Sequence, residues 1–202
     1  MGKRSSVAYE QLNIFDPPEE QVRAPNGNKR LVEYGILNER SDFRAHVTYK
    51  AMRVYVFPTK NAAALLAQAE SLHLQRKSVF TGSLETAQGY LVPVSYLEGL
   101  NEIIIPPDLY QAHRIYPTDL TTTKGLKATQ IVLGLLKHNL ISLPLQYREI
   151  DSLALQISGT DILINSTWRM QVKCDWAGGE KRYGGTGNLY LQTAECNPYS
   201  RH

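Results

Sequence analysis

An α/β fold is predicted by three observations. One stretch carries Ala128, Ile131, Val132, Leu135 and Leu136 at helical spacing. Short runs rich in β-branched and aromatic residues lie on both sides of it. The 202 residues, 43% of them hydrophobic, suffice to bury a core without disulfide staples.

In chain order, residues 1–30 read as a flexible arm. Asp16-Pro17-Pro18 and Pro25-Asn26-Gly27 are turn-rich and without periodicity. Residues 47–57 alternate as a strand, which Pro58-Thr59 ends. Residues 61–72, rich in Ala and Leu, read as a helix. Residues 78–80 and 90–96 read as short strands, the second an edge because of Pro93. Residues 103–105 form another, stopped by Pro106-Pro107. The long helix follows within 119–143, capped by Asp119 or by Thr121, Thr122 or Thr123. It should end near His138-Asn139, because asparagine tolerates the left-handed conformation. Residues 140–145, 153–157, 161–164 and 168–173 read as strands, 177–187 as a glycine-rich loop, and 189–192 as a last strand. The organisation expected is an arm (1–30), an accessory α/β region (31–110) and a core (111–202).

Composition excludes several classes. Two cysteines, Cys174 and Cys196, cannot build a disulfide scaffold or a four-cysteine zinc site, and they suit a reducing cytoplasm. No apolar run is long enough for a membrane helix, and the basic start leads into no apolar signal core, so neither a membrane partner nor secretion is expected. The five histidines show no zinc-ligand spacing. No phosphate-binding glycine motif and no GxSxG nucleophile elbow occurs. Net charge is +3, all of it in the half after residue 110, which permits a nucleic-acid partner without demanding one.

The segment from Asp161 to Lys173 carries the chemistry. Asn165-Ser166-Thr167 is turn chemistry between two β-prone runs, which predicts a hairpin. Centred on Ser166, it sets Asp161 opposite Gln171 with side chains on one face, and alternation adds Lys173 to that face. Carboxylate and amide oxygens are hard ligands suited to Mg²⁺. Such an ion polarises a phosphate oxygen and activates water, and a lysine beside it offsets developing charge. Singly, Asp161 reads as a turn residue and Lys173 as a solvated strand lysine; together they suit phosphodiester hydrolysis.

Asp161 followed by Gln171-Val172-Lys173 resembles the metal site of the PD-(D/E)xK, or restriction-endonuclease-like, nuclease superfamily. Thr123-Lys124-Gly125-Leu126-Lys127-Ala128 opening a helix, Leu135-Leu136, Pro144, and Gly159 to Ile164 follow the order of that core. Thr186-Gly187-Asn188-Leu189-Tyr190-Leu191-Gln192 resembles the strand after the catalytic lysine in several members. The resemblance covers about 119–198. It implies a restriction-endonuclease-like core at 111–202, a mixed sheet flanked by helices, with an N-terminal α/β extension, acting as a Mg²⁺-dependent (or Mn²⁺-dependent) DNA endonuclease. Asp161, Gln171 and the Val172 carbonyl would hold the metal, and Lys173 would orient water or stabilise charge. Gln171 stands where a second acid is usual, and Thr129-Gln130 where the core helix often carries a glutamate. Glu149 could substitute for the missing acid, and Gln130 and Gln192 are further site candidates.

Double-stranded DNA is the partner implied. Lys124, Lys127, Lys181, Arg182 and Tyr183 are the expected contacts, with Tyr183 or Trp176 stacking on a base or sugar. Arg40, Arg44, Lys50, Arg53, Lys60, Arg76 and Lys77 could add duplex contact. The alternative for Lys181 to Tyr183 is an exposed flexible loop. A homodimer suits cutting of two antiparallel strands. Gln11-Leu12-Asn13-Ile14-Phe15 resembles the peptide by which bacterial replication and repair proteins dock on the DNA sliding clamp; five-residue motifs arise often by chance, and an apolar anchor packing the arm onto its own domain is the reading favoured. A catalytically silent DNA-binding module of the same fold, and an interaction protein without a nucleic-acid role, are the competing readings.

Overall fold

The computed structural model describes residues 31–33, 41–81, 84–157 and 160–196. Its centre is an antiparallel hairpin of β2 (Phe43–Thr48) and β3 (Arg53–Pro58). The sequence pattern over 47–57 predicts one strand there. The chain instead turns at residues 49–52, with Met52 in the left-handed region at φ 49°. Burial of Ala51 carries the apolar alternation through this turn, and no glycine or proline marks it.

Six strands form a mixed sheet in the order β6-β3-β2-β9-β8-β7. The others are β6 (Asn101–Ile104), β7 (Ile150–Ile157), β8 (Thr160–Ile164) and β9 (Trp168–Asp175). Only β2 and β9 run parallel. Three of these strands precede residue 111 and three follow it, so both halves of the chain build one sheet. A second, antiparallel sheet has the order β1-β10-β5-β4, from β1 (Leu31–Glu33), β10 (Asn188–Cys196), β5 (Leu84–Pro93) and β4 (Gln75–Thr81). Here β5 is internal, not an edge. Pro93 is its last residue, where a missing N–H interrupts no ladder beyond it, and Val94–Tyr96 turns into a 3-10 helix.

Alternation gives the six-stranded sheet two different faces. Phe43, Ala45, Val47, Val54, Val56, Ile162, Ile164, Met170 and Val172 point to one face. There they pack against α3 (Thr121–Lys137), whose Ala128, Ile131, Val132, Leu135 and Leu136 are buried. Full burial of each Ile, Val or Leu side chain among them contributes roughly 1.5–3 kcal/mol. The helix ends as predicted, with Asn139 at φ 53°. Its start differs: Leu120 is the extended capping residue with no side-chain bond. The Asp119 carboxylate accepts instead from the Tyr116 N–H and Lys127 Nζ, both at 2.8 Å, and the lysine holds its pKa low.

The opposite face carries Tyr55 and Phe57, covered by α1 (Thr59–Leu66) and by Val92, Leu189 and Leu191 of the second sheet. α1 is shorter than the 61–72 predicted; the chain continues in turns to His73 at φ 51°. α2 (Pro107–Ala112) opens on the proline pair that ends β6, since proline suits the first helical position. Residues 140–145 make no strand.

The β8–β9 turn is fixed by Asn165. Asn165 and Ser166 sit at φ 50° and 55°, and the Thr167 N–H donates to the Ile164 carbonyl at 3.2 Å, as in a type I′ turn. The Asn165 carboxamide accepts from the Arg148 and Glu149 N–H groups at 2.8 and 3.2 Å and donates to the Gln146 carbonyl at 2.8 Å. It thereby ties the entry of β7 to the hairpin. Asn165→Ala should cost about 1–3 kcal/mol in urea unfolding, from three lost bonds and a left-handed alanine. Asn165→Asp, which keeps both accepted bonds, should cost less.

Candidate functional site

The hairpin register brings the three key residues together. Ile164 pairs with Trp168 and Ile162 with Met170, a register centred on Ser166. The next pair in that register is Asp161 with Gln171. Ile162 and Met170 point to the α3 side, so Asp161, Gln171 and Lys173 point to the opposite face.

At this position the backbone ladder opens. The Val172 N–H donates to Asp161 Oδ2 at 2.7 Å, in a buried bond. In a strand the N–H and C=O of one residue point to the same side. The Val172 carbonyl is thus directed toward Asp161. Asp161 and Gln171 are each 7% exposed, and Gln171 Oε1 has no hydrogen-bond partner among the described residues. Lys173 is half-buried. A carboxylate oxygen, a buried amide oxygen lacking a donor and a backbone carbonyl are a hard-oxygen set suited to Mg²⁺. Among the described residues no group of three or more His, Cys, Asp or Glu side chains gathers to hold a metal, so amide and carbonyl oxygens are needed to complete such a set.

Strand β2 adds residues to this face. The parallel register sets Arg44 beside Gln171 and His46 beside Lys173. Both are 1% exposed. His46 lies opposite Tyr55 and packs on the Phe57 ring at 5.4 Å. Neither of its ring nitrogens has a hydrogen-bond partner among the described residues. Sequence reasoning grouped Arg44 with general duplex contacts and left His46 unassigned. The period-2 pattern of 43–48 puts 44 and 46 on one face, but nothing local specifies that β9 is the neighbour.

The remaining candidates lie elsewhere. Glu149 is exposed at the turn end of the hairpin, with Ser166 Oγ at 3.4 Å from its carboxylate. It is opposite Asn165, four residues or about 13 Å along β8 from Asp161, and so is not brought to the site. Gln130 is on the exposed side of α3, which itself packs on the face away from Asp161. Gln192 alternates with the buried Leu191 on β10 and faces away from the central sheet. The strand β10 pairs with β5, not with β9, so the strand after the lysine is not the lysine strand's neighbour; β2 is.

Two of the expected DNA-contacting cations, Lys124 and Lys127, are engaged internally. Lys124 Nζ donates to the Pro117 carbonyl and Lys127 Nζ to the Arg114 carbonyl, each at 2.8 Å, holding the loop before α3. The Tyr183 ring packs under the Arg53 and Arg182 guanidinium groups at 3.9 and 4.7 Å, and Glu102 pairs with both arginines. Lys181 is exposed. Trp176 stacks on Tyr49 at 4.5 Å, which stacks in turn on Tyr110 at 5.0 Å.

The glycine-rich loop is stitched, not loose. Gly179 donates to the Asn188 carbonyl at 2.9 Å and Gly187 to the Gly179 carbonyl at 2.7 Å. Asp175 accepts from the Gly178 and Tyr190 N–H groups, both at 3.0 Å, and is a loop anchor. Gly185 is required by close approach, since a Cβ there would lie 2.2 Å from the Gly179 oxygen. Cys174 belongs to the apolar face, opposite His46, and burial pushes its thiol up to about 11; a Cys–His nucleophilic pair is not formed. A cleft of about 800 Å³ opens at the other end of β2 and β9, beside Phe43 and Trp168. Its Asp42 carboxylate accepts from the Arg169 N–H at 2.8 Å, and Ser41 bonds Thr59, so these polar groups serve the fold. No described helix is long and apolar enough to cross a membrane. The clamp-like peptide, Gln11 to Phe15, and Arg40 lie outside the described residues.

Burial pushes the His46 imidazole down to about 3, reinforced by the charges of Arg44 and Lys173. The unfolded chain takes up this proton near pH 6.5. Stability should therefore be full above that value and decline as pH falls toward the folded value, by up to about 1.4 kcal/mol per pH unit. Urea midpoints taken at about pH 7, 6 and 5 should drop in the wild type and change less in His46→Gln; equal slopes would exclude this assignment. No protein-family model matches the chain, and neither a curated protein nor a solved structure matches it.

Proposed function

We propose that the chain is a Mg²⁺-dependent DNA endonuclease of the PD-(D/E)xK type, in a variant with Asp161 and Gln171-Val172-Lys173. The observation that supports it is the open ladder at one pair of the β8–β9 hairpin. There the Asp161 carboxylate bonds the Val172 N–H, with Gln171 and Lys173 on the same face. Asp161, Gln171 Oε1 and the Val172 carbonyl are the groups to hold the ion. When bound, such an ion supplies Lewis-acid polarisation of the phosphate and a more acidic water. Lys173 offsets the charge that builds on the phosphate oxygens and orients the water. Hydrolysis forms a bond from water oxygen to phosphorus and breaks a phosphorus–ester oxygen bond; the proton lost by water balances the alkoxide released.

The role is restriction-type or repair/recombination-type, with duplex DNA as substrate, a homodimer as the assembly for double-strand cutting, and the cytoplasm as the compartment. The Gln11–Phe15 peptide, as a sliding-clamp contact, fits the repair role. A second reading is a silent DNA-binding module. It is favoured by the neutral Gln171 and by an α3 that contains no carboxylate.

Supercoiled plasmid should be nicked or linearised with Mg²⁺ or Mn²⁺ and left intact with EDTA. Lys173→Ala should lower the rate roughly 10²–10³-fold, the worth of one preorganised charge-stabilising group, with the circular dichroism spectrum unchanged. Asp161→Asn should abolish metal-dependent cutting. DNA retained without cutting by either wild type or Lys173→Ala would replace the nuclease with the silent module. Fixed sequence at the cut ends identifies restriction, and dependence on forks or junctions identifies repair or recombination.

A further inference from the structure

The N-terminal half contributes a chemistry-bearing residue that the hairpin alone does not contain. His46 stands next to Lys173 across the parallel β2–β9 pair, on the face shared with Gln171 and Asp161. Its ring is buried, yet neither nitrogen has a hydrogen-bond partner among the described residues. A buried polar group left unmet costs about 1–3 kcal/mol, so such a ring is kept where a bound group meets it. Arg44, two positions away on the same face of β2, and Lys173, its partner across the strand pair, set two cationic groups beside His46, which favours an anion there. Lys173 is the half-exposed member of the group.

We infer that His46 is a phosphate-binding residue of this site: its ring N–H donates to a non-bridging oxygen of the phosphodiester held beside Lys173. This rests on the nuclease reading for its substrate, but the anion site stands or falls by its own measurement. A neutral imidazole suits the task, because it donates one hydrogen bond without adding a third cation beside Arg44 and Lys173. Its place on β2, not on the hairpin, makes the accessory half of the chain part of the binding machinery.

The test is ¹⁵N-imidazole NMR of the full-length wild type, titrated with a short DNA duplex in Ca²⁺ and, separately, with inorganic phosphate. The His46 ring resonances should shift with the duplex, together with the Lys173 amide. His46→Leu should weaken duplex binding in Ca²⁺ roughly tenfold, the worth of one hydrogen bond to a charged group, and His46→Gln should recover most of that loss. Ring resonances that stay fixed while the Lys173 amide moves would overturn the inference and leave the nuclease reading untouched. A ring that shifts in a protein that never cuts with Mg²⁺ or Mn²⁺ would uphold the anion site and remove the nuclease. The wild-type spectra decide the matter even if the leucine variant does not fold.

Discussion

The parallel pairing of β2 with β9 is the constraint on which the rest of the structure depends. It joins the two halves of the chain into one sheet, with Asp42 and Arg169 hydrogen-bonded across 127 positions of sequence. It also fixes which residues share the polar face. A shift of one residue would send Arg44 and His46 into the α3 core and bring Ala45 and Val47 to Gln171 and Lys173. The apolar alternation of both strands opposes that shift, because Phe43, Ala45 and Val47 bury against the same helix as Met170 and Val172. Packing on one side of the sheet therefore sets the chemistry on the other.

Where the signals were local, the sequence was legible. The hairpin register follows from Asn165 and Ser166, whose turn preference acts over a few residues, and Asp161 falls opposite Gln171 for that reason. The helix at Thr121–Lys137 and its asparagine end were legible from spacing and from one left-handed residue. Non-local facts were not. Parallel pairing leaves no turn signature, so the closeness of His46 to Lys173 had no trace in either segment. The turn at 49–52 was hidden because its own residues are apolar enough to continue the strand pattern.

Charge was the least legible quantity. Lys124 and Lys127 have the spacing of a phosphate-gripping helix start, but their ammonium groups close on loop carbonyls within the fold. A lysine that snorkels to a backbone oxygen and one that waits for DNA look alike in a sequence. The glycines of 177–187 were similarly ambiguous. They suggest looseness, whereas Gly179, Gly184 and Gly187 take positive φ in a loop closed by its own hydrogen bonds.

The late arrival of β9 has a consequence for how the molecule is made. During synthesis β2 emerges more than a hundred residues before β9, its parallel neighbour, and its outer edge waits uncovered for that interval. Such long-range pairing also slows folding, since loop closure must precede any reward from contact. A nascent or prematurely terminated chain would hold Arg44 and His46 but lack Asp161, Gln171 and Lys173. Only a chain that includes β9 assembles the full polar face, so the same topology that delays folding also makes that face a late product of synthesis.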